Sequence, residues 1–328
     1  MIIVTGGAGF IGSNLVAALE ARGDEEIVVV DRLGSDDKWR NLAKRDLGDI
    51  IPCEGLNDLV AARHHEISVI FHMGAISSTV ETDVDLILAN NWRASLDLWR
   101  LSAAHGLRLI YASSAATYGD GAAGFDDDMS RAALAKLRPL NAYGWSKHLF
   151  DRKVARMLAG GEATPAQWAG LKFFNVYGPN ELHKGSQMSV VPQFRNQILA
   201  NGVSRLFKSY RDDYPDGGQL RDFVYVDDVV AIMLWLLDNP KVSGLFNAGS
   251  GKARSFADMA GAIFTALGRE PKIEFVDMPE AIRDRYQYFT EARMDRLRAA
   301  GYGRPSTSLE DGVGEYVTRY LNSSDAYR

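Results

Sequence analysis

The sequence predicts an α/β fold, a doubly wound parallel sheet with a smaller α/β lobe attached. Three observations predict it. Short β-rich apolar runs alternate with helical stretches, a glycine loop joins the first run to the first helix, and an acid closes the second run. Sheets of this kind bind ligands beyond the carboxyl ends of their strands, so the residues at those ends are the first candidates for chemistry.

Residues 1–5 form the first strand, and Gly6-Gly7-Ala8-Gly9-Phe10-Ile11-Gly12 follows with the spacing G-x-x-G-x-x-G. Gly6 makes the tight turn, Gly9 lets the backbone approach a pyrophosphate, and Gly12 lets the helix pack closely on the sheet. The anion then sits at the helix N-terminus, as in the Rossmann dinucleotide fingerprint. Ile11, Leu15, Ala18 and Leu19 carry the helical period, and Gly23 ends it. Glu26 to Val30 form the second strand, which runs into Asp31.

Asp31 and its neighbours bear on which dinucleotide is bound. A carboxylate there binds the adenosine ribose hydroxyls and repels a 2′-phosphate, which favours NAD. Arg32 and Lys38 are cations that could hold that phosphate, which favours NADP. The balance leans slightly to NADP, with NAD left open.

Further strands are expected at residues 49–53, Val69 to His72, Leu107 to Ala112 and Leu171 to Val176. Their ends carry Gly74-Ala75, Ser113-Ser114 and Asn175, so the candidate sites converge on one crevice. Beyond Gly178-Pro179 the pattern loosens into polar loops, and a helix-rich stretch begins at Arg254. Phe223 to Leu237 and Gly244 to Gly249 read as a return to the first domain. The division expected is residues 1–177 plus 223–249 for the nucleotide domain and 178–222 plus 250–328 for a substrate lobe.

Tyr143 and Lys147 stand four residues apart, on one face of a helix, so phenol and ammonium can point into the same crevice. The lysine charge and an oxidised nicotinamide would lower the tyrosine pKa toward neutrality, where a phenolate acts as general base. A Tyr-x-x-x-Lys pair is common on surface helices. Here it gains weight from the glycine loop and from Ser114 at the end of an apolar strand.

Composition narrows the class. The formal net charge is -5 and no polybasic run exists, which gives no footprint for nucleic acid. One cysteine, Cys53, excludes an internal disulfide and suits a reducing cytoplasm. No apolar stretch reaches membrane-spanning length, and a first strand starting at residue 2 leaves no room for a cleaved leader. No metal-ligand spacing is present. His64-His65-Glu66 reads as a solvated helix end, because adjacent side chains diverge, and His72 as a satisfied buried histidine near the cofactor.

Four segments then carry a resemblance: Ser113-Ser114-Ala115-Ala116-Thr117-Tyr118-Gly119, Tyr143-x-x-x-Lys147, Phe174-Asn175-Val176-Tyr177-Gly178-Pro179 and Arg221-Asp222-Phe223-Val224-Tyr225-Val226. Over the whole chain the sequence resembles the extended short-chain dehydrogenase/reductases, the nucleotide-sugar epimerases and dehydratases. Within that group Met1 to Gly12, Tyr111 to Gly119, His183-Lys184-Gly185-Ser186 and Arg285-Tyr286-Gln287 are similar to the ADP-L-glycero-D-manno-heptose 6-epimerases. The 4,6-dehydratases carry an Asp-Glu pair after the active-site Ser/Thr. Ala115 and Ala116 stand there and cannot eliminate water.

The resemblance implies inversion of C6″ of ADP-D-glycero-β-D-manno-heptose, in lipopolysaccharide inner-core synthesis in a Gram-negative source. The sugar is oxidised to a 6″-keto form and reduced again on the opposite face by tightly bound NADP. The carbonyl rotates between the steps, so two bases are implied, Tyr143 and Lys184, in an order left open. Lys147 would orient the nicotinamide ribose and Ser114 would hydrogen-bond the reacting oxygen. By position the family implies cofactor contacts from Gly6, Gly9, Phe10, Ile11, Gly12, Asp31, Arg32, Lys38, Met73, Gly74, Ala75, Ile76, Ser77, Asn90, Lys147, Val176 and Lys184. It implies substrate contacts from Ser114, Asn175, Ser186, Gln193, Phe207, Lys208, Ser209, Tyr210, Arg221 and Tyr286, with Arg221 as diphosphate clamp. A homo-oligomer, pentameric in that family, is implied too. Two departures stand out: Cys53 replaces a frequent lysine, and Lys208 to Gly218 is longer and more charged. The competing readings are a UDP-hexose 4-epimerase-like enzyme indifferent to Lys184 and a non-catalytic NADP-sensing regulator.

Overall fold

The computed structural model describes residues 1–328 except Asp24, Asp284 and Arg285, and only the backbone of Ala281 and Ile282. Strands β1 (Ile2–Thr5), β2 (Ile27–Val30), β3 (Asp49–Ile51), β4 (Val69–His72), β5 (Arg108–Ser114) and β6 (Gln167–Phe173) alternate with helices. β7 (Asn175–Tyr177), β8 (Ser204–Phe207), β9 (Leu220–Tyr225), β10 (Gly244–Ala248), β11 (Ala253–Ser255) and β12 (Ile273–Val276) follow. Seven strands build one sheet in the order β10-β6-β5-β4-β1-β2-β3, and every pairing in it is parallel. Ile3, Val4, Val28, Val29, Ile70 and Phe71 are fully buried, because helices cover both faces and continuous apolar runs suit such strands.

The order reverses between β1 and β4, and the crevice at that switch point is where ligands of open α/β sheets bind. The structure adjusts two sequence expectations. β6 begins at Gln167 and ends at Phe173, so the expected strand Leu171 to Val176 is split. Asn175–Tyr177 and Leu220–Tyr225 leave the main sheet and pair with each other, and β11 joins them. The chain turns between the two sheets at Phe174, whose N–H still donates to Ala248 of the main sheet. β8 and β12 form a separate parallel pair in the smaller lobe.

Two helices carry most of what matters below. Phe10–Arg22 starts from the glycine loop and stops at Gly23, whose φ of 72° terminates it with N–H bonds back to Leu19 and Glu20. Ala142–Ala159 starts from Asn141, whose side chain accepts from the Gly144 N–H. Gly144 also lets this helix approach the turn Ala115–Tyr118, since a Cβ there would lie 2.6 Å from the Ala116 carbonyl oxygen. Tyr143 and Lys147 are thereby drawn against the end of β5.

Candidate active site

A cleft of about 720 Å³ opens beyond the carboxyl ends of β1, β4, β5 and β6. Its floor is the glycine loop. A Cβ on Gly12 would sit 2.1 Å from the Gly6 carbonyl oxygen, and one on Gly9 would project into the cleft with only that same oxygen near it, at 3.1 Å. Gly9 is the N-cap of helix Phe10–Arg22, supplies no side chain to its first N–H groups, and no acid lies in the first turn. A positive helix end bared to a cradle that a Cβ would fill fits a pyrophosphate.

At one end of the cleft Asp31 is fully engaged. Its Oδ2 accepts from the Ala8 N–H at 2.9 Å, and its Oδ1 accepts from the Arg32 N–H at 2.7 Å and from Lys38 Nζ at 2.6 Å. Lys38 thus neutralises the carboxylate that would repel a 2′-phosphate, and both residues line the cleft. Arg32 does not line it. Its guanidinium is held by Glu54 at 2.5 Å and Asn90 at 3.0 Å.

Asn90 was expected on the nicotinamide side and is found beside Arg32 instead. Its neighbour Asn91 is buried behind the cleft, where its Oδ1 accepts from the Ile76 N–H at 2.8 Å and its Nδ2 donates to the Ile76 carbonyl at 2.9 Å. The cause is a π-helical turn over Leu88–Arg93, which inserts a residue and rotates the helix face. Met73, Gly74, Ala75, Ile76 and Ser77 line the cleft as expected. His72 is a satisfied core histidine, bonded to Thr5 Oγ1 at 2.7 Å and Ser95 Oγ at 2.9 Å, and burial pushes it down to about 3.

The last three residues of β5 are each tied to one turn of helix Ala142–Ala159. Ser114 is hydrogen-bonded to the Tyr143 phenol. The Ala112 carbonyl accepts from Lys147 Nζ at 2.8 Å, and Ser113 Oγ donates to Asp151 Oδ2 at 2.8 Å. Lys172 of β6 completes the set, its Nζ 2.9 Å from that carboxylate oxygen and 2.5 Å from Thr117 Oγ1. Ser114 Oγ also accepts from the Ala116 N–H at 3.1 Å, which fixes the hydroxyl beside the phenol.

In the protein by itself, burial raises the Tyr143 phenol above its ordinary value, against the bond from Ser114, and one N–H of the Lys147 ammonium donates to the Ala112 carbonyl. Burial brings Lys147 itself down to about 8, with Asp151 opposing. Within the protein alone the pair therefore does not yield a phenolate near neutrality. Ordinary desolvation outweighs the helical spacing that suggested it.

Lys184 also lines the cleft, from the turn Leu182–Gln187. Buried Glu181 closes that loop, its carboxylate accepting from the Ser189 N–H at 2.5 Å and from Ser189 Oγ at 2.7 Å. Lys184 Nζ lies 5.6 Å from the Phe10 ring centroid. Burial lowers its pKa and Glu181 raises it. His183 also lines the cleft, with Nδ1 3.1 Å from Asn41 Nδ2.

The cleft gathers Ser114, Tyr143, Lys147, Lys184, Asn175, Val176, Phe10, Ile11 and the glycines, as expected from sequence. It does not gather Ser186, Gln193, Phe207, Lys208, Ser209, Tyr210, Arg221 or Tyr286. Gln193 instead donates to the Met188 and Ser189 carbonyls, bracing the Lys184 loop. Lys208 pairs with Asp277 at 3.1 Å, and Tyr210 lies under Arg283. Arg285 is outside the described residues. Arg221 is buried behind Phe256, which does line the cleft, at 5.6 Å from that ring and 5.2 Å from Tyr286. Among the described residues no carboxylate pairs with it. Sequence reading missed Phe256 and Met188-Ser189, which line the cleft, and Asn41 and Asn91, which brace its backbone from behind; none carries a motif.

A sequence profile of the NAD dependent epimerase/dehydratase family matches residues 2–249. The chain belongs to that family. A protein of Nitratidesulfovibrio vulgaris named ADP-L-glycero-D-manno-heptose-6-epimerase is 51% identical over 329 residues, covering all of both chains. The crystal structure of the Helicobacter pylori protein of the same name shares 29% identity at a TM-score of 0.78, over 97% of this chain and 95% of that one. A Thermus thermophilus UDP-glucose 4-epimerase, solved in complex with NAD, shares 25% identity at a TM-score of 0.72, over 95% and 96%. Within the epimerase/dehydratase family the open questions are therefore the substrate, the cofactor and the division of labour among Ser114, Tyr143, Lys147 and Lys184.

Proposed function

We propose that the protein is an epimerase that inverts C6″ of ADP-D-glycero-β-D-manno-heptose, giving the L-glycero epimer, with NADP as the bound cofactor and NAD as the second choice. The full-length relationship at 51% identity to a protein of that name carries the reading. The cleft supports it with an amine, Lys184, facing the Tyr143 side from a separate loop.

When bound, the nicotinamide supplies a reversible acceptor for the hydride of the sugar carbon. Gly6, Gly9 and Gly12 hold the pyrophosphate, Asp31 and Lys38 the adenosine ribose, and Met73 to Ser77 the nicotinamide end. Lys147 binds the nicotinamide ribose. Ser114 hydrogen-bonds the sugar oxygen at C6″ and keeps its own proton. Tyr143 and Lys184, carried on separate elements, exchange the proton of that oxygen, one during oxidation and the other after the carbonyl has rotated. Arg221, buried beside Phe256 of the cleft lining, is the clamp for the diphosphate, whose charge would compensate its own. Residues 178–222 and 250–328 form most of the substrate lobe, and homo-oligomeric assembly in the cytoplasm completes the reading.

The test is incubation of the purified protein, without added cofactor, with ADP-D-glycero-β-D-manno-heptose, followed by chromatographic separation of the C6″ epimers. Appearance of the L-glycero epimer is expected. No conversion, even with NADP and then NAD supplied, overturns the heptose assignment, and activity on UDP-galactose instead would favour a 4-epimerase.

A further inference from the structure

Asn180 is the one non-glycine residue with a left-handed backbone among the described residues, at φ 71°, and it is buried. Such a conformation is unfavourable for a residue with a Cβ and persists where its surroundings fix it. Here they do so on three sides. Asn180 Nδ2 donates to Ser13 Oγ at 3.0 Å, on the helix that follows the glycine loop. Its carbonyl accepts from Asn41 Nδ2 at 3.0 Å, and the same amide reaches the Ala8 carbonyl at 2.9 Å. Its Oδ1 accepts from the Arg328 N–H at 2.9 Å.

Arg328 ends a segment that crosses the loop carrying Lys38. Lys44 Nζ lies 2.6 Å from Asp325 Oδ2 and 2.6 Å from the Tyr327 carbonyl. Tyr327 sits beside Asp37 and Arg40 of that loop. Arg328 Nη1 pairs at 2.5 Å with Asp227, in the first turn of helix Val226–Asp238. The loop that holds the adenosine end of the cleft is therefore fastened on its outer side to a helix of the main domain, through a segment remote in sequence.

We propose that Ser323–Arg328 is a strap, with Lys44, Asn180 and Arg328 as positioning residues, that retains the dinucleotide by keeping the Lys38 loop closed on the glycine loop. The inference rests on the reading that the cleft holds a nicotinamide dinucleotide. A catalyst that takes up and returns the same hydride never needs to exchange its cofactor, so slow release carries no penalty. Withdrawal of the adenosine end requires the loop 37–45 to lift, and the strap spans that loop from Asn180 to Asp227.

The test compares wild type with a Lys44→Ala/Arg328→Ala double variant and with Asn180→Gly, which accepts the left-handed backbone while losing both side-chain bonds. The readouts are dinucleotide content after gel filtration, measured by absorbance of the released nucleotide, and the rate of its loss on dilution. Faster release by at least tenfold in both variants, with turnover restored by excess cofactor, is expected. Unchanged release overturns the strap, including the case where only the unfolding midpoint falls. If wild type itself carries no dinucleotide and binds none, the cofactor reading fails with it. A wild type that is loaded beside variants equally loaded refutes the strap alone.

Discussion

Replacing Lys147 by methionine should stabilise the nucleotide-free protein while removing most of its activity. Burial brings the Lys147 ammonium from 10.5 down to about 8. At about 1.4 kcal/mol per pH unit, the folded state bears roughly 3 kcal/mol whenever this lysine is charged. Methionine fills a similar volume without that cost, and the lost bond to the Ala112 carbonyl returns about 1 kcal/mol, leaving a net gain of about 2 kcal/mol. The gain has a definite pH dependence. Below pH 8 the lysine is protonated in both states and the full cost applies. Between about 8 and 10.5 the folded lysine has released its proton while the unfolded one retains it, so wild type gains stability as pH rises and the gap to the variant closes. Thermal unfolding of both proteins, freed of nucleotide, at pH 7 and pH 9.5 measures this, and turnover should fall by at least about 100-fold. A variant less stable than wild type at pH 7, or a gap that does not change with pH, would refute the desolvation argument.

Tyr143→Phe and Lys184→Met should each lower turnover by about 10²- to 10⁴-fold with smaller effects on substrate KM, measured by epimer separation; wild-type turnover in both would sink the two-base proposal, and in Lys184→Met alone would favour a 4-epimerase. Gly12→Ala should lose dinucleotide binding, because its Cβ would meet a backbone oxygen at 2.1 Å that no rotamer change can relieve; fluorescence titration that saturates as in wild type would contradict this. Lys38→Ala should shift preference toward NAD by about tenfold, since Asp31 loses its neutralising partner, and equal losses of affinity for both dinucleotides would refute the discrimination argument.

Local sequence reached what the backbone decides locally. The glycine loop, the strand ends and the Tyr143–Lys147 spacing each depend on a few neighbouring residues, and the structure places all of them around one cleft. What escaped depends on events outside any window. Asn91 rather than Asn90 bonds the backbone of Ile76 across a π-helical turn, and a regular 3.6-residue period cannot register it. Arg32 looked free to meet a phosphate, but Glu54, distant in sequence, claims it. Burial raises the Tyr143 phenol in the protein by itself, and burial is a property of the assembled fold.

The same distinction separates the two proposed bases. Tyr143 sits in the first turn of a long helix capped by Asn141, and its neighbour Gly144 is packed against the Ala116 carbonyl, so its position is set by regular structure. Lys184 sits in a short turn kinked at Gly185, where φ is 54° and ψ is -123°, and its place depends on one buried carboxylate that ties residue 181 to residue 189. A carbonyl that must be met first from one side and then, after rotating, from the other suits one rigid partner and one on an adjustable loop. Glu181 lies between that loop and the core and also holds the lysine's charge up against desolvation. The fold thus fixes one wall of the cleft through the sheet and leaves the other to a few long-range hydrogen bonds. Lys184, the proposed second base, lies four residues from Asn180, where the Lys38 loop, the glycine-loop helix and Arg328 meet.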